Sequence, residues 1–184
     1  EAGAGPLAGP VYAAAVILPR EVDLPGLNDS KKLTAKRREA LYDLITSQAA
    51  AYHVAFVSAE EIDQMDILNA RMLAMNRAIE GLNQKPDLCL IDGNRDHGST
   101  VSITERHVCL VGGDGKSASI AAASILAKVS RDRYIMEVLD RQYPQYQFAR
   151  HKGYGTKLHY ACLNEYGPCP AHRKTFLKKW EAQR

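Results

Sequence analysis

The sequence predicts a mixed α/β domain built around one central sheet. Three observations predict it. Short apolar, partly β-branched runs recur at residues 11–18, 52–57, 88–91 and 108–111, with the length and chemistry of strands. Longer stretches with apolar residues three and four apart lie between and after them. The order is strand, helix, strand, helices, strand, strand, helix, helices, which suits a sheet flanked by helices.

Taken in order, the first strand closes at Pro19 and leads into a loop marked by Pro25-Gly26 and Asn28-Asp29-Ser30. Thr34 can cap a helix running to about residue 50, with Ala40, Leu41, Leu44 and Ile45 on its inner face. Ser58 and Glu61 have the spacing of a capping box ahead of a short helix. A longer helix follows through Leu68, Met72, Met75 and Ile79 and ends near Gly81; its methionine stripe reads as core packing. The runs at 88–91 and 108–111 read as buried strands, each ending in a glycine-containing turn that carries an aspartate. A long helix is expected over about 117–141, where Ala121, Ala122 and Ala123 permit close packing. A loop at about 144–155 and two helical stretches complete the chain. The expectation is one domain over 1–184, with a core to about 141 and a C-terminal helical extension over about 142–184.

With 184 residues and 46% apolar content, the chain can bury a core of its own. It has no apolar run of the ~20 residues a membrane helix needs, and no leader peptide is visible. Net charge is only +3, but the cations cluster: Lys31, Lys32, Lys36, Arg37 and Arg38; then Arg150, His151, Lys152 and Lys157; then Arg173, Lys174, Lys178, Lys179 and Arg184. Any one run suits a solvated helix face, whereas three favour a phosphate-bearing partner. The four cysteines, Cys89, Cys109, Cys162 and Cys169, contain no CxxC pair, so free thiols in a reducing cytoplasm are expected rather than structural zinc.

Acidic residues stand where strands end. Asp92 precedes Gly93-Asn94, Asp114 lies within Gly112-Gly113-Asp114-Gly115, and Glu1 opens the turn Glu1-Ala2-Gly3-Ala4-Gly5-Pro6. Carboxylates at the ends of neighbouring strands can converge, and converging unpaired negative charges call for divalent cations. Oxygen ligands alone favour Mg²⁺ or Mn²⁺ over zinc. Asp-Gly after a strand is equally ordinary turn chemistry, and spacing alone leaves both readings open. Gly115-Lys116-Ser117 resembles the end of a phosphate-binding P-loop, but Leu110 occupies the position of that motif's first glycine.

The segments EAGAGPLAGPVYAAAVIL, LNDSKKL, EEID with DILNARMLAMNRAI, LIDGN, GDGKSASIAAASILAKVSRDR, YPQYQF, HKGYGT and HRKTF decide between them. In this order, over nearly the whole chain, they resemble bacterial type 2 ribonuclease H, ribonuclease HII. The resemblance implies a ribonuclease H-like fold with a mixed central sheet and a C-terminal helical extension. It implies endonucleolytic cleavage of the RNA strand of RNA–DNA hybrids, and incision at single ribonucleotides in duplex DNA, with 5′-phosphate and 3′-hydroxyl products. It also implies an Asp-Glu-Asp-Asp metal set in which Glu1, Asp92 and Asp114 match the last three members. Two ions sharing such ligands would straddle the scissile phosphate, activating water and stabilising the departing 3′ oxygen. Tyr154 matches the family tyrosine that packs at the ribonucleotide junction, and Gly3, Ala4 and Gly5 match its Gly-Arg-Gly turn. Asn28, Ser30 and Lys31 are expected at the nucleic-acid backbone, and Asp132 is read as structural. A monomer is the default, and no replication-clamp contact is indicated.

Two departures from the family pattern stand out. Ala4 replaces the usual arginine, so weaker binding and a smaller salt dependence are expected with the metal chemistry intact. The first aspartate of the set would immediately precede Glu1; residues carrying it and a further strand are expected in the natural protein, and without them a catalytically impaired hybrid-binding form is the alternative. The related type 3 enzymes carry an extra N-terminal domain that this sequence does not show.

Overall fold

The computed structural model describes residues 1–183. Four strands form, β1 (Val11–Ile17), β2 (Ala51–Val57), β3 (Cys89–Asp92) and β4 (His107–Leu110). The helices are α1 (Ala35–Gln48), α2 (Ala59–Met65), α3 (Ile67–Glu80), α4 (Ala118–Tyr134), α5 (Asp140–Gln142), α6 (Phe148–His151), α7 (Lys157–Tyr166) and α8 (Lys174–Glu181).

Local signals set the boundaries. Thr34 Oγ1 accepts the Arg37 N–H at 3.2 Å and starts α1. Ser58 and Glu61 close a reciprocal box at 2.9 and 3.1 Å ahead of α2. The expected long helix runs as α4, a π turn over Ile135–Leu139 and α5. The expected loop at 144–155 is partly helical, holding a 3₁₀ turn at Pro144–Tyr146 and then α6, because Tyr146 and Phe148 are buried and stack at 5.4 Å.

Mixed pairing is present, split between two ladders. Antiparallel β1–β2 runs from Val11↔Val57 to Ile17↔Ala51, and parallel β3–β4 from Cys89↔His107 to Asp92↔Leu110. Among the described residues β1 and β3 are not paired with each other, and a cavity of about 510 Å³ lined by Ala15, Ile17, Ile91 and Asp92 among others lies between them.

The alternation of β1 distributes its side chains to two layers. Val11 and Ala13 pack with Ala70, Met72, Ala74 and Ala78 of α3, while Ala14 and Val16 face Leu41 and Ile45 of α1 and Ile125 and Val129 of α4. Ala40, expected on the inner face of α1, is exposed because Leu41 and Ile45 take the contact with α4. Leu90 and Val108 are exposed too, so β3 and β4 are covered on one face rather than buried on both. A third cluster joins Leu7 and Ala8 to Tyr146, Phe148, Leu163 and Leu177 and ties the C-terminal helices to the start of the chain.

Candidate active site

Asp92 closes β3, and its Oδ1 accepts the Gly113 N–H at 2.9 Å, drawing the turn after β4 onto the end of β3. Asp114 follows in the 3₁₀ turn Gly113–Gly115. Its carboxyl is held above the usual range by burial first, then by the charges of Asp29 and Asp92. Asp29, an ordinary loop residue by its sequence context, stands close enough to Asp114 to act on it. It caps the 3₁₀ turn Ser30–Lys32 by accepting the Lys31 N–H at 2.8 Å, and so brings Asn28, Ser30 and Lys31 to the same corner. There Lys31 is exposed, whereas Ser30 is buried with its carbonyl held by Arg38 at 2.8 Å.

Glu1 lines the same cavity as Asp92. Arg71 Nε stands 3.2 Å from Glu1 Oε2, misaligned for a hydrogen bond, and both buried atoms lack a hydrogen-bond partner. Glu1 Oε2 is ion-paired with Arg71 but makes no hydrogen bond, and the crowded carboxyls of Asp29, Asp92 and Asp114 are oxygen donors of the kind a hard divalent cation takes. Asp92, Asp114 and Asp29 are brought together, and Glu1 shares a cavity with Asp92, so these are the groups suited to hold it.

Two buried arginines build the other half of the site. Arg131 Nε and Nη2 donate to the carbonyls of Pro10 and Ala8 at 3.0 and 3.2 Å, and Nη1 donates to Lys152 at 3.1 Å. Arg173 donates to the carbonyls of Gly9, Ala4 and Gly3 at 2.9, 2.9 and 2.6 Å. Gly3 is required here: its φ is +92°, and a Cβ would lie 2.1 Å from Arg131 Nε. Arg173 and His151 are buried, so both leave the expected basic surface; Arg184, counted in the same cluster, lies outside the described residues. Arg131 was legible in part, because it falls on the stripe of buried Ala127 and Ile135 at helical spacing.

Tyr154 is half exposed, with Arg131 over its ring at 5.9 Å. Its loop is pinned to the glycine-rich turn, since Leu7 N–H donates to the Gly153 carbonyl at 2.8 Å. Gly153 has a φ of +84°, and a Cβ there would lie 2.5 Å from the Ala8 carbonyl oxygen. Asp132 pairs with Lys128 at 2.9 Å on the same helix.

The family model described as Ribonuclease HII matches residues 1–181. The chain belongs to the ribonuclease HII family. It is 55% identical over 177 residues to Ribonuclease HII of Endomicrobium trichonymphae, covering 96% of this chain and 82% of that one. Identity to the enzyme of Albidiferax ferrireducens is 57% over 176 residues, covering 96% and 83%. The fold matches ribonuclease H2 from Pyrococcus horikoshii with a TM-score of 0.79 at 27% identity, over all of this chain and 95% of that one. It also matches the structure of the PCNA:RNase HII complex from Archaeoglobus fulgidus, with a TM-score of 0.77 at 26% identity, over all of this chain and 92% of that one. Members of the ribonuclease HII family are hydrolytic, divalent-metal-dependent nucleases that act on RNA–DNA hybrids. No helix of the described residues is long and apolar enough to cross a membrane.

Behind Tyr154 lies a buried imidazole chain whose tautomers follow from its partners. His159 Nδ1–H donates to the Tyr154 carbonyl at 2.9 Å, so its Nε2 must accept the His172 Nε2–H, also at 2.9 Å. His172 Nδ1 is then free to accept the Cys169 N–H at 2.9 Å. A proton added to either ring sets two N–H groups against each other. Burial accordingly lowers both pKa values from 6.5 to about 4. The unfolded rings titrate near 6.5, so the contribution is complete above that pH and is lost as the pH falls towards 4. The fall from 6.5 to about 4 corresponds to a loss on the order of 3 kcal/mol for each ring. Urea denaturation across that window measures it, and a flat curve there excludes the arrangement.

Proposed function

We propose that the chain is an endoribonuclease that cuts RNA–DNA hybrids and incises duplex DNA at single ribonucleotides, using two Mg²⁺ or Mn²⁺ ions. The observation that carries the reading is the corner where Asp92, Asp114 and Asp29 crowd together and Glu1 Oε2 lacks a hydrogen-bond partner. Bound ions would supply Lewis acidity for phosphodiester hydrolysis, activating water and offsetting charge on the departing 3′ oxygen. The protein's own work is to hold the carboxylates rigidly and to select the ribonucleotide. Glu1, Asp92 and Asp114 are the proposed ligands.

Selection has to use the 2′-hydroxyl, the group that separates RNA from DNA. The turn Gly3-Ala4-Gly5, which carries no side chain larger than a methyl and is clamped by Arg173, offers close backbone approach, and Tyr154 offers an exposed ring beside it. Asn28 and Lys31 are the proposed backbone contacts on the Asp29 side. The proposed unit is one domain and a monomer, acting in the cytoplasm.

A duplex with one embedded ribonucleotide, incubated with Mg²⁺ or Mn²⁺, is expected to be nicked 5′ of the ribonucleotide, leaving 3′-hydroxyl and 5′-phosphate ends. Binding without nicking in either metal would overturn the reading. In the same assay, Ala4→Arg is expected to tighten substrate binding and steepen the salt dependence of KM by roughly one unit on a log–log plot. An unchanged slope would remove Ala4 from the nucleic-acid interface.

A further inference from the structure

Away from the carboxylate corner, the connection between β3 and β4 gathers three unlike ligand groups. His107 and Cys109 are alternate residues of β4 and project from the same face. The turn after β3 delivers Asp96, fixed by the Ile103 N–H donating to the Asp96 carbonyl at 2.7 Å. One potential ligand atom from each of Asp96, His107 and Cys109 lies within 4.8 Å of the other two. His107 Nε2 is 3.1 Å from Asp96 Oδ2, while its Nδ1 is 2.7 Å from the Glu105 carbonyl. With Nδ1–H donating to that carbonyl, the ring is aimed and Nε2 is the coordinating nitrogen, as at histidine metal sites generally. An Asp–His pair needs no thiol. Asp96 Oδ1 also meets His97 Nδ1 at 2.7 Å, and Cys109, packed partly buried against the core cluster of Ile91 and Ile103, keeps its sulfur within reach of Asp96 and His107.

We propose that Asp96, His107 and Cys109 form a second metal site, separate from the carboxylate corner, that takes a zinc-class cation and ties the 93–106 connection to β4. The donor chemistry selects the ion: one thiolate, one imidazole and one carboxylate suit borderline-soft Zn²⁺, whereas Mg²⁺ and Mn²⁺ prefer oxygen donors. Tetrahedral bonds of about 2.0–2.3 Å place ligand atoms about 3.3–3.8 Å apart, so closing the site asks for shifts of about 1 Å. Water takes the fourth position at this partly exposed site. Binding releases the Cys109 thiol proton, and the His107 Nε2 proton where present, to solvent, with no change of oxidation state. Cysteine spacing alone does not reveal such a site, because its ligands are a strand pair and a loop aspartate.

The test uses the full chain, stripped with chelator and held in excess Mg²⁺. Cobalt(II) added to it is expected to give a single-equivalent cobalt–thiolate charge-transfer absorption, displaced by Zn²⁺. Cys109→Ser should abolish the absorption, and His107→Gln should weaken Zn²⁺ binding at least about tenfold. Asp92→Asn should leave both signals intact, which separates this site from the carboxylate one. Zinc should raise the melting temperature of the parent and of Asp92→Asn but not of Cys109→Ser. Metal-free circular dichroism confirms that each variant is folded. No cobalt–thiolate band, a band that survives Cys109→Ser, or equal zinc affinity in parent and His107→Gln overturns the proposal.

Discussion

Replacing Asp92 by asparagine is expected to lower kcat on an RNA–DNA hybrid by on the order of 1000-fold while leaving the melting temperature almost unchanged. The side chain sits at the end of β3 with one oxygen already spent on the Gly113 N–H, so an amide of the same shape can keep that hydrogen bond and the turn. What it cannot keep is the negative charge. A carboxylate that helps hold a Lewis acid is worth several kcal/mol in the transition state, and about 4 kcal/mol corresponds to the stated factor. Removing the Asp92 charge also relieves one cause of the raised Asp114 pKa, so Asp114 should titrate lower in the variant. Steady-state kinetics in Mn²⁺ and carboxyl-resolved NMR check the two halves separately. Retained turnover with an intact fold would take Asp92 out of the metal set.

The parts legible in the sequence are those that local chemistry decides. Thr34, the Ser58–Glu61 box and the apolar, partly β-branched run of β1 each act within a few residues, and each lies where the pattern puts it. The strand-end position of Asp92 was legible for the same reason. What composition could not supply was the wiring between distant segments. Asp29 reaches Asp114 only because the loop before α1 folds against the start of α4, and no spacing rule links the two. Arg173 read as surface charge because it stands in a run of cations, yet its partners lie at the opposite end of the chain. Solvated and buried arginines look identical in sequence; only carbonyls lacking other donors distinguish them.

Arg173→Met should cost about 3–5 kcal/mol of stability. The guanidinium is fully buried and holds three carbonyls, those of Gly3, Ala4 and Gly9, in one plane of donors. Methionine fills much of the volume but leaves those oxygens without donors, each with its own desolvation cost. Phe176 loses a cation over its ring, at 5.0 Å in the parent. Arg173→Lys should recover only a minority of the loss, since one ammonium cannot reproduce a fork that spans three acceptors. Because Asp63 independently caps α8 by accepting the Lys174 and Thr175 N–H groups at 2.8 and 2.9 Å, the helix should persist while the glycine-rich turn loosens. Hydrogen exchange then has a definite pattern to show. Protection should drop at Leu7 and Gly9, whose N–H groups bond Gly153 and Ala171, and hold at the Ala182 N–H, which bonds within α8. Uniform loss across α8 and the turn alike would mean that Arg173 supports the whole C-terminal extension rather than the turn beside Glu1.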